Sequence, residues 1–236
     1  MQNIKHPLTF SIFLLFHTMN IAQSADSSKN KLNYSISVDG GISFARGHFA
    51  SDELSWNTMT SAFGQNGYTL DLFYRKPSNH FIATINYTEN GLNINQYVNE
   101  LGYESGNGPF KPIKWTDYKL ISLMVGYSPK ITIKKWTIEA DFMTGLSMYS
   151  TPYVSYYGSY FNYSVAYPAY TTGTFEVQSI KSIFPNLYVG LNIKYLISQR
   201  FTTILCAYSL NSAMPSISQP YTVINYTFGL AYNFQH

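Results

Sequence analysis

From residue 32 to residue 234, apolar and polar positions alternate with a period of two rather than at helical spacing. The last segment is the clearest. Its even positions are Thr222, Ile224, Tyr226, Phe228, Leu230, Tyr232 and Phe234; its odd positions are Val223, Asn225, Thr227, Gly229, Ala231 and Asn233. One face is large and apolar and the other small and mostly polar, which predicts a β-strand between two very different surroundings. Seven further segments repeat the pattern, at 33–46, 67–75, 81–88, 118–128, 136–148, 187–195 and 203–210. In segment 203–210 the outward set is read as Ile204, Cys206, Tyr208 and Leu210, with Cys206 a small apolar filler on that face.

The connections between these segments alternate in length. Short turns are expected at Lys76-Pro77-Ser78-Asn79, Ser128-Pro129-Lys130 and Ser198-Gln199-Arg200. Long connections occupy residues 47–66, 89–117, 149–186 and 211–220. Strict alternation in an up-and-down barrel puts the short turns and both termini at one end and the long loops at the other.

Composition decides which face meets water. Charged residues make up 11% of the 236-residue chain, against about 25% in ordinary soluble domains. The polar face consists of Ser, Thr, Asn, Gly and Ala with a few scattered charges, too little for a solvated exterior but suited to the crowded interior of an eight-stranded barrel. The apolar face then points outward, which only lipid tolerates, and a closed barrel satisfies the backbone as hydrocarbon demands. Aromatics near the segment ends, among them Tyr34, Phe44, Trp136, Tyr195 and Phe234, fit interfacial girdles. The fold class expected is therefore all-β: an eight-stranded up-and-down antiparallel transmembrane β-barrel. The net charge of +3 comes without a Lys/Arg cluster, so nucleic acid is not expected as a partner.

The first residues read as an address. Lys5 supplies a positive start, Leu8 to Phe16 a short apolar run, and Ala22-Gln23-Ser24 a small-residue cleavage site. Residues 1–24 are therefore expected to be a signal peptide, 25–31 a short disordered lead-in, and 32–236 the barrel domain. With the signal, eight segments and the final Tyr-Thr-Phe-Gly-Leu-Ala-Tyr-Asn-Phe strand, the chain resembles the small bacterial outer-membrane barrels of the OmpX/OmpA-barrel, porin-family type. The resemblance implies export through the periplasm to the outer membrane, outer-membrane lipid as surroundings, and recognition of the final strand by the barrel-assembly machinery. It carries no active-site motif with it.

Candidate chemistry is sparse. The lumen face is expected to hold Asp39, Asp71, Glu139 and Asp141 with Arg75 and Lys194, a polar network in which Glu139 and Lys194, at similar heights on neighbouring strands, form an ion pair. Four acids against two bases leave an excess of negative charge. One cysteine and three scattered mature-chain histidines, His48, His80 and His236, give no metal-ligand spacing, so neither metal nor cofactor is expected. His48, near Asp52 and Glu53 on the loop side, is the one position from which a lipid-modifying rim enzyme is conceivable, and no tight motif accompanies it. The loop from Thr151 to Tyr170 is rich in Tyr153, Tyr156, Tyr157, Tyr160, Phe161, Tyr163, Tyr167 and Tyr170. It reads either as a recognition surface for extracellular protein or glycan, or as an extension of the flanking strands past the membrane, with Tyr153, Ser155, Tyr157 and Ser159 alternating over the rim. The function expected is a structural or surface-interaction role of a monomeric barrel through its long loops. A narrow channel for small solutes is the alternative and a lipid-modifying enzyme a further one.

Overall fold

The computed structural model describes residues 32–50, 63–76, 78–104, 110–162, 169–212 and 221–235. The expected signal peptide (1–24) and lead-in (25–31) lie outside the described residues. Eight long strands form the wall: β1 (Leu32–Arg46), β2 (Gly64–Lys76), β3 (Phe81–Leu92), β5 (Tyr118–Tyr127), β7 (Trp136–Ser150), β10 (Lys181–Leu196), β11 (Phe201–Ser212) and β12 (Tyr221–Gln235). Each pairs antiparallel with its neighbours, and β1 pairs with β12 from Tyr34↔Phe234 to Arg46↔Thr222, which closes the sheet. Strand order follows chain order throughout, as in an up-and-down barrel.

The alternation read from the sequence is the alternation of the wall. Val38, Ile42, Leu123 and Phe228 are 54, 54, 62 and 64% exposed on the outside, whereas Asp39, Asp71, Asn86 and Asn225 are fully buried inside. Ring pairs gird the outer surface near both ends: Tyr34–Phe234, Trp136–Tyr195 and Phe201–Tyr232 at the short-turn end, and Phe44–Tyr226 and Tyr68–Tyr87 at the other.

Three expectations are corrected. In β11 it is Ile204, Cys206, Tyr208 and Leu210 that point into the lumen, with Cys206 1% exposed, while Leu205 faces out at 57%. Both faces of this segment are largely apolar, so alternation alone gives no direction. The register with β12 decides, because Cys206 lies opposite Thr227 and Tyr208 opposite Asn225, and directly opposed residues share a face. The turn expected at Ser128-Pro129-Lys130 is instead a kink. The chain continues as β6 (Lys130–Ile133) along the same edge of β7, and reverses only at Lys134-Lys135, where Lys134 takes a left-handed φ of 57°. Pro129 has no N–H to give, which interrupts the ladder, yet its carbonyl still accepts from Ala140 N at 3.0 Å.

The third correction is that the long connections are not plain loops, although in the tyrosine-rich stretch the extension of the flanking strands past the membrane is what is observed. Between β3 and β5 lie helix α1 (Ile94–Glu104) and strand β4 (Lys111–Trp115); between β7 and β10 lie β8 (Val154–Asn162) and β9 (Ala169–Val177). Helix α1 buries Ile94, Tyr97 and Val98 and packs Leu101 on the same stripe. Asn93 precedes it, its side-chain amide donating to Gln96 at 2.8 Å and its carbonyl accepting from Tyr97 N at 3.0 Å. Strands β4, β8 and β9 make a second, three-stranded sheet over the loop end. Its β8–β9 hairpin prolongs the β7–β10 ladder without a change of register: Ser150 faces Lys181, Thr151 N donates to Ile180 O at 3.0 Å, and Val154 then faces Val177.

Candidate functional site

Inward-pointing side chains fill the barrel in layers. Near the short-turn end, Lys194 Nζ lies 2.5 Å from Glu139 Oε2. The two residues stand on β10 and β7, adjacent strands whose register sets Asn192 opposite Glu139. Arg75, from β2 across the lumen, brings Nε to 3.5 Å from Glu139 Oε2 and Nη2 to 3.5 Å from Asp141 Oδ2, and donates through Nη1 to Ser37 Oγ at 2.9 Å. Its guanidinium lies over the Phe73 ring, 4.2 Å from the centroid. Asp141 also accepts from Ser128 Oγ and from Asn192 Nδ2, each at 2.6 Å. Two acids and two bases thus hold one another at the turn side.

The other two acids sit apart from this cluster. Asp71 accepts from Asn86 Nδ2 at 2.7 Å and from Tyr208 Oη at 2.8 Å, with no cation bonded to it. Asp39 is its register partner on β1, and neither of its carboxylate oxygens is in hydrogen-bonding geometry with a described neighbour. The Asp39 carboxylate occupies the space over Gly229, where a methyl group would run into it. Beside them Tyr188 and Tyr208 stack with centroids 4.4 Å apart. The polar helpers Ser37, Asn86, Ser128, Asn192 and Tyr208 were not singled out from the sequence. Their only signal was an uncharged polar group at an inward position, and for Tyr208 even that position was misread.

Above these layers the loop end is closed by rings. Tyr118, Tyr149 and Tyr221 are buried on three different strands, and Phe49 lies 4.3 Å from Tyr221 and 5.0 Å from Tyr118, centroid to centroid. Tyr149 stacks on Tyr118 at 5.9 Å and meets Phe184 at 5.8 Å. Below the rings, Tyr221 Oη and Ser43 Oγ both reach Asn90 Oδ1, at 2.8 and 3.2 Å. With the charged side chains gathered inside, apolar side chains outside and the eight-strand wall closed on itself, only a hydrocarbon slab suits this surface. The chain is a small transmembrane β-barrel of eight antiparallel strands. The barrel as described is filled by side chains.

No family model matches the chain, and the comparison with curated proteins gives no match. Solved structures match it in fold. The surface protein A of Neisseria (NspA) is 10% identical with a TM-score of 0.48, over 88% of this chain and all of that one. The N-terminal β-barrel domain of Pseudomonas aeruginosa OprF is 10% identical with a TM-score of 0.40, over 87% of this chain and 100% of that one. The Yersinia pestis attachment invasion locus protein, solved with the heparin analogue sucrose octasulfate, is 13% identical with a TM-score of 0.38, over 85% of this chain and 97% of that one.

Outside the slab this barrel carries its second sheet, and here the tyrosine-rich stretch divides. Tyr156 is buried, its ring 5.0 Å from Phe110 and 5.8 Å from Phe175, so it belongs to the sheet's own core. Phe110 lies against Gly158, where any side chain would meet its ring. Tyr157 is 47% exposed on the opposite face, paired with Lys111 of β4 on one side and Thr174 of β9 on the other. Tyr153 is half-buried, and its hydrogen bond to the Glu176 carboxylate holds the phenol above its ordinary pKa. Burial in the α1 interface pushes the Tyr97 hydroxyl up to about 12. Tyr160, Phe161 and Tyr170 lie on β8 and β9, with side chains outside the description; Tyr163 and Tyr167 lie outside the described residues, as do Asp52, Glu53 and the His48 side chain. His80 is at the β2–β3 turn, its Nδ1 3.2 Å from Ser128 O, so it is tied to the wall.

Proposed function

We propose that this chain is a surface-interaction protein: a filled barrel that anchors a folded platform outside the membrane. The observation that carries the reading is the in-register continuation of the β7–β10 ladder into β8–β9, with β4 added at its edge. Building three paired strands above the slab costs ordering entropy that a bare turn would not. It presents Tyr157 between Lys111 and Thr174, with Lys114 opposite Ser155 on the same face, a surface of rigid aromatic and mobile cationic groups suited to extracellular protein or glycan. The wall closes within one chain, β1 pairing with β12, and on this reading the barrel works as a monomer whose final strand meets the barrel-assembly machinery.

The test is adhesion. Cells displaying the full chain are applied to a glycan array and to immobilised extracellular-matrix proteins, beside cells displaying a Lys111→Gln, Lys114→Gln, Tyr157→Ala variant. Binding that the wild type shows and the variant loses, with the heat-modifiable SDS mobility of the barrel kept, supports the reading. Wild-type adhesion no greater than that of cells without the gene, together with steady conductance in planar bilayers, would move the assignment to a narrow channel.

A further inference from the structure

We propose that the short-turn mouth of the barrel is a binding site for a soluble phosphate-bearing anion of the periplasm. The mouth holds an open cavity of about 170 Å³. Its distinguishing wall is the β6–β7 hairpin. The hairpin alternates Lys130, Thr132 and Lys134 toward the cavity with Ile131 and Ile133 away from it, the latter 64% exposed on the lipid side. Where β5 ends, Ser128 N donates to His80 O at 2.7 Å, so β3 has already turned and, among the described residues, β6 pairs with no strand on that side. The hairpin therefore overhangs the mouth. It does not swing freely, because Leu196 N donates to Lys135 O at 2.9 Å and ties it to β10. A positioned group of ammonium ions is what a pre-organised anion site requires.

The charge sum at this mouth is one-sided. Lys130, Lys134, Lys135 and Lys194 line the cavity, and Glu139 is the one acid among its lining residues. Glu139 is already held at the cavity floor by Lys194 and Arg75. Lys76 and Arg200 are exposed on the neighbouring short turns, which adds to the same sign. The described acids outside the lumen, Glu89, Glu100, Glu104, Asp117 and Glu176, belong to the loop-end half of the chain's hairpins, so they do not offset it. Ser35, Thr137 and Thr202 add hydroxyls to the lining, and Asn233 an amide that donates to Thr202 Oγ1 at 2.9 Å and leaves the Thr202 hydroxyl hydrogen to donate. Several ammonium groups with hydroxyl and amide donors match a phosphate dianion, with three terminal oxygens and a charge near −2, better than a carboxylate with two oxygens and one charge. The cavity is lined from inward positions of β1, β7, β10, β11 and β12, while the apolar positions of those strands face away from it, which favours a solute arriving from the periplasm over a headgroup of the surrounding leaflet.

The experiment uses the mature chain refolded in maltoside micelles, with inorganic pyrophosphate titrated by calorimetry. The expected result is saturable one-to-one binding that weakens with salt. A Lys134→Asn, Lys135→Gln variant keeps the left-handed turn, because Asn tolerates that backbone, and should bind about tenfold more weakly or worse with an unchanged SDS mobility shift. Absence of saturable binding, equal affinity in the variant, or equal heats from acetate would each overturn the proposal. A second arm repeats the titration in nanodiscs of phosphatidylcholine and of phosphatidylglycerol. Equal pyrophosphate affinity in the two supports a soluble ligand; binding abolished only by phosphatidylglycerol overturns that choice of source and assigns the mouth to a lipid phosphate. Adhesion through the outer sheet is untouched by either result.

Discussion

Replacing Lys194 with Met tests whether the buried ion cluster holds the barrel together. Lys194 is 7% exposed, as is Glu139, and their charged atoms are 2.5 Å apart. Removing one partner of such a buried pair costs about 3–5 kcal/mol, chiefly because the other charge is left uncompensated. Here the loss is softened, because Glu139 keeps Arg75 Nε at 3.5 Å and Ser128 Oγ at 3.4 Å. The mouth cavity also gives water access to the position. The cost therefore drops to the lower end of that range or just below it, about 2–3 kcal/mol, or roughly a 30- to 150-fold change in the folding equilibrium. The assay is urea unfolding in lipid vesicles, followed by tryptophan fluorescence and by the SDS mobility shift. In Lys194→Met, Glu139→Gln the orphaned carboxylate is gone, so the double variant should be more stable than Lys194→Met alone. A Lys194→Met midpoint equal to wild type, or strictly additive losses in the cycle, would refute the reasoning.

Three further outcomes follow from the lumen and the outer sheet. Asp39→Asn should raise stability by about 1 kcal/mol in the same urea assay, because it replaces a buried carboxylate whose oxygens have no described partner by a neutral group of the same shape; a loss of stability would mean the charge is needed. Gly158→Ala should loosen the outer sheet by about 1–3 kcal/mol, since the new methyl meets the Phe110 ring. Limited proteolysis should then cut the β8–β9 hairpin faster while the barrel stays resistant. Cys206, facing the lumen at 1% exposure, should resist a lipid-soluble maleimide in the folded barrel and react fully in urea; rapid labelling in vesicles would return it to the lipid face.

Period-two alternation was readable in the wall because the two sides of a lipid barrel differ so strongly: Phe228 beside Thr227, or Leu72 beside Asp71, admits one orientation only. The lumen charges were readable for the same reason, since Asp39, Asp71, Arg75, Glu139, Asp141 and Lys194 fall at positions that alternate with large apolar ones. Segment 203–210 offered no such contrast. Ile204, Cys206 and Leu205 are all acceptable to either side, and hydrogen-bonded register with β12 settled what composition left open. Helix α1 carried its own signal in Asn93 and the stripe Ile94, Tyr97, Val98 and Leu101, easily lost beside long alternating segments.

Local pattern therefore determined the barrel, the number of wall strands, the two faces of every wall segment except 203–210 and which charges lie inside, because each of these depends on one residue's preference for lipid or for a packed interior. Which inward groups meet was decided only by closure. Arg75 reaches Glu139 and Asp141 from another side of the lumen, and Tyr208 reaches Asp71, from strands far apart in the chain. The kink at Pro129 and the pairing of β4 with β8 are likewise tertiary. Both exist because backbone groups freed at one place find partners contributed by another, and no residue records its partner in its own identity.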